Sequence, residues 1–162
     1  MRRTLVVTSL LTLLFVVSPA IPAHAVSGGD LTIMFGRTQW TKATSSCNAA
    51  PGFKTLADAV SALAAEGHSA TGEAVTSYIS ETGLTCTNGA LYPSWGMLSS
   101  LQAQYGFNLI SEGTNYLNFS AMSTQDQISD SCGSLAAFTT HGFARANGLF
   151  AYPDNTWTLP GQ

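Results

Sequence analysis

Charged side chains are scarce in this chain, so the few that sit in loops are the first candidates for chemistry. Only 9% of its 162 residues are Asp, Glu, Lys or Arg, against about a quarter in ordinary globular domains. Three polar clusters each follow a short apolar run. Arg37, Thr38, Gln39 and Trp40 follow Leu31 to Phe35. Ser111, Glu112, Thr114, Asn115, Tyr116 and Asn118 follow Phe107 to Ile110. Asp154, Asn155 and Trp157 follow Leu149 to Tyr152. Glu112 is the most telling of these, as a general base or an acceptor for a sugar hydroxyl; the plainer alternative is a solvated loop carboxylate. Arg37 can hold a carboxylate or a hydroxyl, Asp154 can accept from hydroxyls, and Asn115 can bond hydroxyls in both directions. Tyr116, Trp40 and Trp157 can form an aromatic floor under a sugar ring, or they can simply pack their loops.

Other chemistries lack their parts. No Cys-x-x-Cys occurs, and beyond the N-terminal segment the histidines are His68 and His141, so no zinc site is expected. No Gly-x-Ser-x-Gly elbow supports a serine hydrolase, and no glycine loop is built to cradle phosphate. His68 falls at a helix-to-strand turn and His141 at a helix end, where a cation complements the helix dipole; both are expected to be structural.

The elements that must position the clusters alternate between strands and helices. Thr55 with Asp58, and Ser123 with Asp126, have the spacing of capping boxes, and Ser94 can cap a third helix. Behind those caps, Leu56, Val60 and Leu63; Trp95, Leu98 and Leu101; and Ile128, Cys132, Leu135 and Phe138 keep helical spacing. Gly67 and Gly106 end the first two helices, and the third is expected to reach His141. Four extended runs, Leu31 to Phe35, Ala70 to Ile79, Phe107 to Ile110 and Leu149 to Tyr152, separate them, with Arg37 to Lys54 read as loop. Such alternation implies βαβ units and a parallel sheet. In such sheets the working residues gather beyond the strands' C-terminal ends, where the three polar clusters fall.

Residues 1–25 read as a secretory signal: Arg2 and Arg3, an apolar run from Leu5 to Val17, then Ala23-His24-Ala25. That run is shorter than the ~20 apolar residues of a membrane span, so no membrane association is expected after cleavage. Removing Arg2 and Arg3 from the six basic residues leaves four against nine acidic ones, a net charge of −5 for residues 26–162. Nucleic acid is therefore not expected as a partner, for want of cations to neutralise phosphates. A sparsely charged surface rich in Ser, Thr, Asn and Gln suits glycans. Of the three cysteines, Cys47 and Cys86 lie in polar stretches and are expected to form a disulfide. Cys132, inside the third helix, is either a buried structural thiol or half of a bridge whose partner is missing.

Four segments together resemble the polysaccharide deacetylases (NodB homology, carbohydrate esterase family four), over about Leu31 to Trp157. Leu31-Thr32-Ile33-Met34-Phe35-Gly36 stands where that family has Leu-Thr-Phe-Asp-Asp-Gly. Ala70-Thr71 opens the counterpart of its Ala-Thr-Phe-Phe-Val strand. Gly106 to Ser123 covers its histidine motif, with Glu112 and Tyr116 at the two histidine positions. Phe150-Ala151-Tyr152-Pro153-Asp154-Asn155 stands for Phe-Arg-x-Pro-Tyr-Gly.

The resemblance implies a distorted (β/α) barrel that acts on or binds acetylated glycans of the cell wall or extracellular space. It implies a secreted domain over 26–162, cut short after about four strands, or a chain that completes itself by self-pairing. The family uses a divalent metal, an aspartate base and an orienting arginine. Here Met34 and Phe35 replace the aspartates, Glu112 and Tyr116 the histidines, and Ala151 the arginine. The expected ligand set is absent, so no metal or other cofactor is expected. Three readings follow: a glycan-binding pseudoenzyme; a hydrolase of C–N or ester bonds with an unorthodox site on Glu112, assisted by Arg37 or Asp154; or a non-functional fragment.

Overall fold

The computed structural model describes residues 33–143 and 149–155. The expected signal segment, Leu31-Thr32 of the first motif and Trp157 lie outside the described residues.

The alternation of strands and helices is present. Strands β1 (Ile33–Phe35), β3 (Ala70–Ala74) and β6 (Asn108–Ser111) form a parallel sheet in the order β1-β3-β6. Phe150 continues it as a single parallel bridge to Ser111, and the Ala151 N–H donates to the Ser111 carbonyl at 2.8 Å. Helices α1 (Leu56–Ala65), α2 (Trp95–Tyr105) and α3 (Thr124–Thr140) each follow one strand of this sheet in the chain. The sheet is not closed into a barrel among the described residues.

Local chemistry explains the helix ends. Thr55 Oγ1 accepts from the Asp58 N–H at 3.1 Å while the Asp58 carboxylate accepts from the Thr55 N–H at 2.8 Å, completing a capping box. That bond holds the Asp58 carboxyl below its ordinary range. Ser94 and Ser123 cap α2 and α3 through the N–H groups of Met97 and Asp126. Gly106 ends α2 at φ 67°, the left-handed turn that glycine adopts without strain. Leu56 and Val60 from α1, Trp95, Leu98 and Leu101 from α2, and Phe138 from α3 bury against Ala70, Ala74, Phe107 and Leu109. Each large side chain so buried stabilises the fold by about 1.5–3 kcal/mol.

Three stretches differ from the sequence reading, the first being the expected strand Leu149 to Tyr152, which is only the single bridge at Phe150. The expected loop Arg37 to Lys54 contains β2 (Thr41–Lys42), and the run to Ile79 stops at Ala74, followed by a tight turn at Thr76–Tyr78. Beyond it lies a hairpin of β4 (Thr85–Thr87) and β5 (Ala90–Tyr92), and β2 joins it in a small antiparallel sheet ordered β2-β5-β4. The hairpin turns on Asn88 and Gly89, at φ 50° and 73°, the positive pair that a type I′ turn requires. The disulfide Cys47–Cys86 ties the loop after β2 to β4, as expected. Cys132 is a free thiol and exposed on α3, so the buried reading does not hold; its face of the helix lies away from the core.

Candidate functional site

The chain segments that follow β1, β6 and the Phe150 bridge meet beside Glu73 of β3 in one cleft of about 600 Å³. It brings together Arg37, Glu112, Tyr116 and Asp154. The other two expected residues go elsewhere. Trp40 is half-buried against the core beside α1, its carbonyl accepting from the Leu56 N–H at 2.7 Å. Asn115 turns to α3, where its backbone and side-chain amides donate to the Asp130 carboxylate at 3.0 and 3.2 Å. Asp130 is itself buried and also accepts from the Thr114 N–H, so this carboxylate pins the Thr114–Tyr116 loop at the rim of the cleft.

Arg37 is aimed by a strained turn. Arg37 and Thr38 have φ 54° and 47°, and Asp154 has φ 52°, so three of the five described non-glycine residues with positive φ belong to the cleft or its support. Such conformations cost about 1–3 kcal/mol each and need surroundings that enforce them. Thr38 is enforced by burial and by its Oγ1, which donates to the Glu73 carbonyl at 2.7 Å. The space it occupies exists because residue 72 is glycine: a Cβ there would overlap Thr38 Oγ1 and the Phe107 ring. The Arg37 guanidinium then lies 4.1 Å from the centre of the Tyr116 ring, donates to Tyr116 Oη at 2.9 Å, and stands 3.6 Å from Asp154 Oδ1. Tyr116 Oη in turn donates to Asp154. Partial burial and that bond push the phenol's pKa up.

Glu112 lies deeper. Its N–H donates to the Ala74 carbonyl at 2.9 Å, continuing the β3–β6 ladder, and the residue is only 4% exposed. Its Oε2 has no hydrogen-bond partner among the described residues. Burial, then the nearby charge of Glu73, push the carboxyl from 4.5 up to about 7; Asp154 adds to the rise, and the Arg37 guanidinium and backbone N–H oppose it. A buried carboxyl that titrates near neutrality, facing an open polar cleft, can give or take a proton where most carboxylates cannot.

Glu73, on β3, is the cleft residue that the sequence reading missed. Its signal was present: a carboxylate inside a short parallel strand of small residues is out of place unless the strand end serves a site. No described residue donates a hydrogen bond to its side chain.

The residues at the resembled family's catalytic positions divide. Met34, Glu112, Tyr116 and Ala151 line the cleft, whereas Phe35 packs against the core. A thioether, a methyl group and a phenol do not fit a hard divalent cation. Among the described residues no three His, Cys, Asp or Glu side chains stand together in a way that could hold a metal ion. His68 is exposed, and His141 stacks on Trp95 at 4.2 Å between ring centres, beside Glu81. No described helix is long and apolar enough to cross a membrane. The disulfide is of the kind that persists in oxidising compartments. No protein-family model matches the chain, and no curated protein or solved structure is significantly similar to it.

Proposed function

We propose that this chain is an exported, polysaccharide-deacetylase-like protein that binds a glycan in the strand-end cleft and hydrolyses a C–N or ester bond on it, with Glu112 as the proton-exchanging group. The observation that carries this reading is the buried, half-unpartnered Glu112 carboxyl, titrating at about 7 at the base of a polar cleft. A structural carboxylate at that depth would be expected to have partners for both oxygens. Support for the family resemblance comes from Met34, Glu112, Tyr116 and Ala151, which fall in three separate family motifs and line the same cleft.

On an N-acetyl sugar, the ionised Glu112 takes a proton from water as the water oxygen bonds to the acetyl carbonyl carbon. It returns that proton to the nitrogen as the C–N bond breaks, leaving acetate and a free amine. The Arg37 guanidinium can hold the sugar and donate to the carbonyl oxygen as it gains negative charge, with Tyr116, whose own proton goes to Asp154, steadying it.

Binding without turnover is the second reading. It is favoured by Met34 and Ala151, which stand where the family carries an aspartate and an arginine.

The test is incubation of the mature protein with N-acetylated chito-oligosaccharides, following acetate. Release that survives a chelator and falls at least a hundredfold in Glu112→Gln supports hydrolysis, given that a general acid–base group contributes about 10²–10⁴ in rate. Binding with no acetate from any acetylated glycan favours the second reading. Release abolished by the chelator, or unchanged in Glu112→Gln, overturns the proposed chemistry.

A further inference from the structure

The cleft holds more negative charge than its own cation balances. Glu73, Glu112 and Asp154 line it, with Arg37 as its one described basic residue. Arg37 is already engaged by Asp154 and Tyr116. Glu73 has no such partner among the described residues, and its charge beside Glu112 disfavours the ionised form of that carboxyl. Glu112 is 96% buried, and its free Oε2 belongs to a side chain that lines the cleft. Uncompensated buried carboxylates are costly. A ligand bringing positive charge to Glu73 would offset that charge and favour the ionised Glu112 that the proposed hydrolysis needs. An ammonium group does this, being compact and carrying three donors. An acetamido group placed at Glu73 brings one N–H, no charge, and a carbonyl oxygen that the carboxylate repels.

We propose that the cleft is selective for a glycan bearing a protonated amine, a free hexosamine unit whose ammonium is held at Glu73 while Glu112 stays open to the acetylated unit beside it. This rests on the glycan reading above and narrows it: the substrate class becomes a partly deacetylated amino-sugar polymer, a free amine anchoring the chain in the cleft. A bare metal cation is a poorer occupant, because the described carboxylates do not cluster closely enough to ligate one.

The experiment is calorimetric titration of the mature protein with a glucosamine tetramer and with its fully N-acetylated counterpart. It is run at about pH 6, below the ordinary range of amines, so that the amine is charged. Binding of the free-amine tetramer is expected to be about tenfold tighter, equivalent to about 1.4 kcal/mol, and to weaken as salt is raised. Glu73→Gln should remove the preference, and Glu73→Asp, which keeps the charge, should retain most of it. Circular dichroism confirms that each variant is folded, and wild-type binding stands as the test if one is not. Equal or tighter binding of the acetylated tetramer overturns this inference and leaves the glycan reading standing. Binding of neither sugar overturns both. Binding of a lysine tripeptide in preference to both sugars overturns the amino-sugar assignment.

Discussion

Replacing Glu112 by glutamine should make the protein more stable above neutral pH, although it removes the group on which the proposed chemistry depends. The carboxyl titrates at about 7 in the fold and ordinarily at 4.5. Below 4.5 it is protonated whether the chain is folded or not, and it costs nothing. Between 4.5 and about 7 the unfolded chain releases the proton and the folded chain keeps it, so stability falls as pH rises through this window. Above about 7 the loss is complete. At about 1.4 kcal/mol per pH unit the rise corresponds to about 3.4 kcal/mol. The carboxyl faces an open cleft, which lets water offset part of that, and glutamine loses some attraction to the Arg37 N–H. A net gain of about 2 kcal/mol at pH 8 is therefore expected for Glu112→Gln, which is roughly 6–10 °C in Tm for a domain of this size. The assay is urea unfolding of wild type and variant from about pH 4 to 8. The two curves should meet at the acid end and part steadily above 4.5. A variant that is equal to or less stable than wild type at pH 8 would refute the reasoning, because Glu112 would then be a satisfied structural carboxylate.

Removal of Arg37 should push the Glu112 carboxyl higher still, since the guanidinium holds it down; the pH midpoint of Glu112 ionisation in Arg37→Ala checks this. Gly72→Ala should cost about 1–3 kcal/mol, because its Cβ would overlap Thr38 Oγ1 and the Phe107 ring, and should weaken glycan binding by shifting the turn that carries Arg37; thermal unfolding and titration read the two effects. Asp130→Ala should destabilise by about 1–3 kcal/mol through unpaired amides, and should loosen the Thr114–Tyr116 loop, seen as faster amide exchange at Thr114 and Asn115. Reduction of Cys47–Cys86, which are separated by 39 positions, should lower stability by about 2–4 kcal/mol, measured by urea unfolding with and without reductant.

The helices were legible because their ends are written in local chemistry. Thr55 with Asp58, Ser94, Ser123 with Asp126, and Gly106 each bond within a few residues, so spacing alone reveals them. The parallel sheet was legible from alternation, and the gathering of Arg37, Glu112, Tyr116 and Asp154 followed from where parallel strands end. The small sheet was not, because β2 has two residues and pairs with β5 far along the chain. Only Asn88-Gly89 marked the hairpin locally. Trp40 and Asn115 were misplaced for a related reason: a loop residue's type does not say whether it faces the cleft, the core or the neighbouring helix. Asn115 was decided by Asp130, fifteen positions later on α3. Glu73 lies inside a strand, and its facing direction depends on a register that only the paired strands fix.

The most direct measurement is the ionisation of Glu112 itself. Carbon-13 labelled glutamate carboxyls can be followed by NMR across pH, with Glu112→Gln identifying the signal, in the free protein and with a saturating chito-oligosaccharide. A midpoint near 7 in the free protein that moves when the sugar binds is the expected result. A midpoint near 4.5 that the sugar leaves in place would contradict the assignment of Glu112 as the proton-exchanging group of a glycan site.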